Sequence, residues 1–394
     1  MEEIGRKRVA MAGVVVAGLA YFLVCAVPLQ KELLLVPAWS RDISPVIPSG
    51  MAGASAEGAA QSAASKPAAP KAANAVPVAL PAAASQANTS LATASPLPFR
   101  LGDRFGYFTA DGSILFVETV SYGVALAPDV FATYDSLSEG FAIRSPSGAE
   151  VSRVSAPGYP FFAAGRRFLI GPDQATVTEL AGNGSAAWTY QFPSIVTAFD
   201  ASPSLAVFGL MDGTIVGFNR SGAVALDFAP GGSRIAGVYG VAASPDGLLV
   251  AAITGADKQR LVILEKRSTA YRVAYHRYLA SDYRRPVSMA FTEDGQRLAY
   301  ESPAGIGIYD RATHGESVVP VPATPRMGQT ARGGELMVFL SGKGDQKRLI
   351  CTAAPDRRVV DLSLNAKRAF VLTKGNTLFL GLDDRIVRMD LEER

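Results

Sequence analysis

Val241-Ala-Ala-Ser244-Pro-Asp-Gly247-Leu-Leu-Val-Ala251 reads as an apolar run, a tight turn and a second apolar run. The phrase returns as Met289-Ala-Phe-Thr292-Glu-Asp-Gly295-Gln-Arg-Leu-Ala-Tyr300 and as Tyr107-Phe-Thr109-Ala-Asp-Gly112-Ser-Ile-Leu-Phe116. Asp-Gly between alternating apolar stretches marks a hairpin, because Gly accepts the positive φ that such turns require. Looser copies occur near Phe162, Ser202, Thr330 and Ser363. Taking positions 109, 162, 202, 244, 292, 330 and 363 as anchors, the spacing scatters around one four-stranded propeller blade, about 40 to 45 residues, with a longer first interval.

From Phe99 onward no stretch holds a helical period, so the expected fold is all-β: a β-propeller over residues 99–394. Seven anchors give seven blades, and the long first interval leaves room for an eighth. A single blade cannot bury both of its faces, so the sheets must stack radially and the ring must close. Closure is expected to place strands from both ends of the domain in one blade.

These phrases resemble those of the WD-repeat and quinoprotein-like β-propeller superfamily. Ser244-Pro-Asp-Gly247 is similar to the turn between the inner strands of a WD-repeat blade. Ile306-Gly-Ile-Tyr-Asp310 resembles the third strand that ends there in Trp-Asp, and Val216-Gly-Phe-Asn219 is a looser match. The family's Gly-His dipeptide is missing and its tryptophan position holds Tyr309 or Phe218, so the resemblance implies the fold and not the tetrad of hydrogen bonds. In layout the chain is similar to propeller subunits of outer-membrane assembly machinery, which implies an envelope scaffold.

The layout rests on the N-terminal part. Val9 to Val27 carries no charge and as a helix would span about 28 Å, close to the roughly 30 Å of a hydrocarbon core. Arg6, Lys7 and Arg8 precede it, which by the positive-inside rule leaves residues 1–8 as a cytoplasmic tail, 9–27 as a transmembrane anchor and the rest outside the cytoplasmic membrane. A cleaved signal peptide and lipid attachment at Cys25 stay open as alternatives. Residues 28–98 read as a linker, because the tract from Ser44 to Pro98 is dominated by Ala, Pro, Ser and Gly and cannot bury enough apolar surface to offset its ordering entropy.

Composition excludes several functions. With 38 basic against 35 acidic residues and a net charge of +3, no nucleic-acid partner is expected. The 2 cysteines, Cys25 and Cys351, rule out a disulfide framework or a thiolate metal site. The 2 histidines, His276 and His314, lack the spacing of metal ligands, so no metal and no cofactor is expected. No Gly-x-Ser-x-Gly elbow or phosphate loop occurs, and the Asp-Gly pairs do not head a calcium loop.

One segment stands out: residues 271–286 combine Tyr271, Tyr275, Arg277, Tyr278, Tyr283, Arg284 and Arg285. Tyr and Arg are the side chains that anchor protein interfaces, so these seven are the candidate partner-binding residues. The reading is a membrane-tethered, periplasmic or extracytoplasmic propeller that binds envelope proteins as a scaffold and is not an enzyme. The alternatives are a propeller-based hydrolase or lyase and a small-molecule or glycan sensor.

Overall fold

The computed structural model describes residues 33–43, 95–135, 138–321, 325–326 and 330–393. They form eight antiparallel sheets and contain no α-helix. Seven sheets follow in chain order as residues 97–119, 123–154, 159–191, 196–228, 238–278, 289–319 and 325–365. The eighth joins residues 369–393 to a distant strand, β1 (Leu33–Asp42). The transmembrane segment expected at 9–27 lies outside the described residues, and among the described residues no helix is long and apolar enough to cross a membrane.

Eight apolar clusters hold the sheets together, each shared by two consecutive blades. Strand Leu249–Thr254 of the fifth blade shows why. Val250 and Ala252 point into the cluster shared with the fourth blade, while Leu249, Ala251 and Ile253 point into the one shared with the sixth. Alternation sends successive side chains to opposite faces, and both faces are covered, so the strand reads as an unbroken apolar run. The last cluster sets Phe99 and Phe108 of the first blade against Phe379 and Ile386 of the eighth, which closes the ring.

Eight blades replace the seven expected. The second blade sits in the long first interval; its inner turn, Ala127-Pro-Asp-Val130, has neither the opening Ser or Thr nor the glycine of the repeated phrase. The phrase at Ser363 does not open a blade, because it lies within the outer strand Arg357–Asn365 of the seventh.

Within a blade the strands run from the centre outward in chain order, and the inner strands of neighbouring blades pack on one another. The turns between first and second and between third and fourth strands therefore share one face of the ring, the turn face. The second-to-third turns and the connections between blades share the other, the crossover face.

β1 is the outer strand of the eighth blade. It pairs antiparallel with Arg385–Glu393, from Leu33 opposite Glu393 at the turn face to Asp42 opposite Arg385 at the crossover face. Its Trp39 ring lies 6.0 Å from that of Phe379, and Leu33 and Leu35 join the cluster shared with the seventh blade. Strands from both ends of the chain thus share a blade, but the N-terminal one comes from within the stretch read as linker, residues 28–98.

The first blade shows three strands among the described residues: β2 (Leu97–Leu101), β3 (Arg104–Phe108) and β4 (Ile114–Thr119). They are its second, third and fourth. The β3–β4 turn has Thr109 N–H bonded to Ser113 O and Gly112 N–H to Thr109 O, the pattern of the third-to-fourth turns that begin at Ser145, Ala181 and Asn219. The β2–β3 turn lies at the crossover face, where Arg104 Nη2 donates to Asp383 O at 2.8 Å and Arg368 pairs with Asp103.

Candidate functional site

The Tyr/Arg segment splits over two faces of a blade and one rim of the ring. Strand Ala270–Tyr278 is the outer strand of the fifth blade, and a bulge opposite Ile263 and Leu264 turns Tyr271 and Tyr275 to opposite sides. Tyr271 packs toward the fourth blade and donates its hydroxyl to Gly247 O at 2.6 Å. Tyr275 packs toward the sixth, its ring 4.9 Å from Tyr309, and burial raises the phenol above its ordinary range.

The arginines divide in the same way. Arg277 pairs with Glu316 of the sixth blade, a side chain only 4% exposed that also accepts the Tyr300 hydroxyl at 3.1 Å. Arg285 grips Glu301, 2% exposed, through both oxygens, with its guanidinium 4.5 Å above the Tyr283 ring. Both act as clamps on the ring. Tyr283 is half-buried, and its backbone is held by the amide of the fully buried Gln259. Tyr278 stays exposed beneath Arg260, and Arg284 is exposed without an ion-pair partner among the described residues.

Arg284 leads to a feature the sequence did not disclose. A cavity of about 320 Å³ opens on the crossover face, walled by Ile195, Met211, Tyr239, Arg284 and Pro286 from the fourth and fifth blades and the connections that flank them. Met211 is 54% exposed and Ile235, next to the cavity wall at Ala236, is 53% exposed. These positions are scattered along the chain, and only an exposed Met in a turn hinted at them.

Two further cavities frame the ring. One of about 170 Å³, at the crossover face of the seventh, eighth and first blades, gathers Arg100, Lys347, Lys367 and Arg368. Lys347 donates to Gly344 O and Arg368 pairs with Asp103, so part of that charge is already used. The other, about 290 Å³, is lined by inner-strand residues and by the turns at Ser202 and Pro245. Asp200 sits in its wall and accepts Ala243 N–H at 2.8 Å.

Burial pushes the Asp200 carboxyl up to about 6 from 3.8, against the pull of the Ala243 amide. A carboxyl raised on folding contributes stability that is complete below 3.8 and is lost as pH rises through about 6. Asp200→Asn should therefore unfold a few degrees higher than the parent at about pH 7.5 and match it near pH 4, as thermal unfolding across that range would show.

No cluster of three or more His, Cys, Asp or Glu able to hold a metal ion occurs among the described residues. His276 is exposed on an outer strand, and His314 Nδ1 lies 2.8 Å from the Tyr309 hydroxyl in an outer turn. Burial pushes the Cys351 thiol up to about 12, which leaves it unreactive.

A family model described as "beta-propeller protein" matches residues 1–394. An uncharacterized protein of Treponema pallidum (strain Nichols) is 26% identical over 379 residues, which is 95% of this chain and 91% of that one. Among solved structures, BamB from Moraxella catarrhalis superposes with a TM-score of 0.50 at 14% identity, over 75% of this chain and 96% of its own. Hsv2 from Kluyvelomyces marxianus gives a TM-score of 0.49 at 11% identity, over 70% and 94%. At 14% identity the likeness to BamB shows a shared fold alone.

Proposed function

Because the chain belongs to a family of β-propeller proteins, we propose that it works as a protein-binding module whose docking surface is the crossover face of the fourth to sixth blades. The observation that carries this reading is the 320 Å³ cavity with exposed Met211 and Ile235 beside Arg284, which has no ion-pair partner among the described residues. An apolar floor beside the exposed Arg284 guanidinium suits a partner side chain that is apolar with a neighbouring carboxylate. The clamped Arg277 and Arg285 are poor anchors, because docking through them would strip Glu316 and Glu301 of their counter-ions.

The module is tethered to the cytoplasmic membrane by residues 9–27 and works on an envelope protein. β1 starts at Leu33, so the tether is the short segment 28–32, with a reach of at most about 18 Å. The turn-face end of β1 then sits near the bilayer and the crossover face points away from it.

A photo-crosslinking residue at Met211 or Ile235 should capture the same envelope protein in intact cells, while one at Leu248 on the turn face should not. Arg284→Glu with Met211→Asp should reduce that product at least about tenfold without lowering the melting temperature. Equal capture from both faces would remove the assignment.

A further inference from the structure

Three blades meet where the ring closes, and their crossover-face loops bring four cations to one cavity. Arg100 comes from β2, Lys347 from the second-to-third turn of the seventh blade, and Lys367 and Arg368 from the connection that leads into strand Ala369–Lys374 of the eighth. The cavity, about 170 Å³, has no acid in its lining. Of the acids nearby, Asp103 pairs with Arg368, Asp383 Oδ1 accepts the Arg368 N–H at 2.8 Å, and Asp345 is exposed at the tip of the turn that carries Lys347. Arg100 and Lys367 have no ion-pair partner among the described residues.

Three of the four cations are fixed in place. Arg100 Nε donates to Gly102 O at 3.4 Å, Lys347 Nζ donates to Gly344 O, and Arg368 Nη1 donates to Asp103. Gly102, at φ +71°, keeps the space that Arg368 occupies, because a Cβ there would stand 2.5 Å from the Arg368 Nε. These bonds leave the cavity cationic. A carbonyl takes one of the three protons of an ammonium without cancelling its charge. The pair of Arg368 with Asp103 is 49% and 53% exposed at its two ends, so it is weak enough for an incoming anion to compete for the guanidinium.

We propose that this cavity binds the phosphoryl group of a phosphomonoester. Ammonium and guanidinium donors that converge from separate loops suit an oxyanion with oxygens on several sides, and a phosphomonoester brings close to two negative charges at neutral pH where a carboxylate brings one. Pockets that enclose a whole small molecule run to roughly 300–1,000 Å³, so a cavity of about 170 Å³ takes the phosphoryl group and leaves the rest of the ligand outside. Its donors belong to the seventh, eighth and first blades, and a bound group therefore ties the seam at which the ring closes. The site shares no residue with the Met211 and Arg284 cavity and stands independently of the docking surface there.

Calorimetric titration of the full chain, in an uncharged detergent, with inorganic phosphate tests this. Binding at about 1 mM or tighter is expected, and saturating phosphate should raise the melting temperature. Arg100→Ala with Lys367→Ala, at two exposed positions, should weaken phosphate at least about tenfold and leave the melting temperature without phosphate unchanged. Lys374→Ala, which removes an exposed cation at the turn face, should change neither. Glycerol 3-phosphate and a short-chain phosphatidic acid separate the sources of the group: equal affinity assigns a soluble ester, tighter binding of the lipid assigns a headgroup, and either supports the site. Absence of binding at phosphate about tenfold above the expected constant overturns the proposal, as does binding that survives the double substitution. An equal loss in Lys374→Ala would reduce the effect to attraction by overall charge and overturn it as well.

Discussion

A chain that begins at Ile43 is expected to lose the whole ring's cooperativity and not merely one strand. β1 gives the eighth blade its outer strand through a register running from Leu33 opposite Glu393 to Asp42 opposite Arg385, and it covers part of two inter-blade clusters. Without it the Arg385–Glu393 strand becomes an edge, and Trp39 no longer shields Phe379. A loss on the order of 5 kcal/mol would lower the melting temperature by roughly 10 °C or more. Calorimetry on the truncated and full chains checks this; an unchanged melting temperature would mean that β1 is a passive arm. Adding the 33–42 peptide back in excess should restore part of the loss by mass action.

The second large effect is expected at Arg166. Its guanidinium, 1% exposed, donates to both oxygens of Glu179 at 2.8 and 2.6 Å, and Trp188 Nε1 donates to the same carboxylate at 2.6 Å. Arg166→Met leaves Glu179 with the indole alone and a charge shut between the strands of the third blade. Breaking one side of such a pair costs about 3–5 kcal/mol, whereas replacing both partners with apolar residues is far milder. Arg166→Met with Glu179→Leu should therefore be more stable than Arg166→Met alone, by chemical denaturation. If the two losses simply add, the pair is solvated and the electrostatic argument fails.

The fold was legible because a propeller repeats its turns. Ser202, Ser244 and Thr292 all begin inner turns, as their shared phrase implied. Asp-Gly, however, marks a tight hairpin and not which hairpin: Thr109 uses it between the third and fourth strands. The second and eighth blades carry no clear copy of the phrase and the one at Ser363 lies in an outer strand, so the count came out one short. β1 escaped because a lone strand has no neighbouring repeat to reveal it, and its partner stands at the far end of the chain.

The site was less legible, for a different reason. Tyr/Arg density showed that the 271–286 segment is unusual, but the acids that claim Arg277 and Arg285 belong to the next blade and are buried. The bulge that parts Tyr271 from Tyr275 depends on pairing with the preceding strand. The crossover-face cavity gathers residues that lie far apart along the chain, from Gln174 to Pro286, so no local pattern encodes it.

The pairing of β1 with the last strand also sets an order on synthesis. Leu33 leaves the ribosome long before its partner Glu393. Until then seven blades can stack but the apolar rim of the eighth has no outer strand, and contacts of such sequence separation form slowly. The eighth blade is therefore completed only after Glu393 has emerged. During that interval the exposed edge of Arg385–Glu393 is open to the wrong strand, and a second molecule's β1 is an equally good fit. Domain-swapped dimers that exchange residues 33–42 are the misassembly to look for when the protein is made at high concentration.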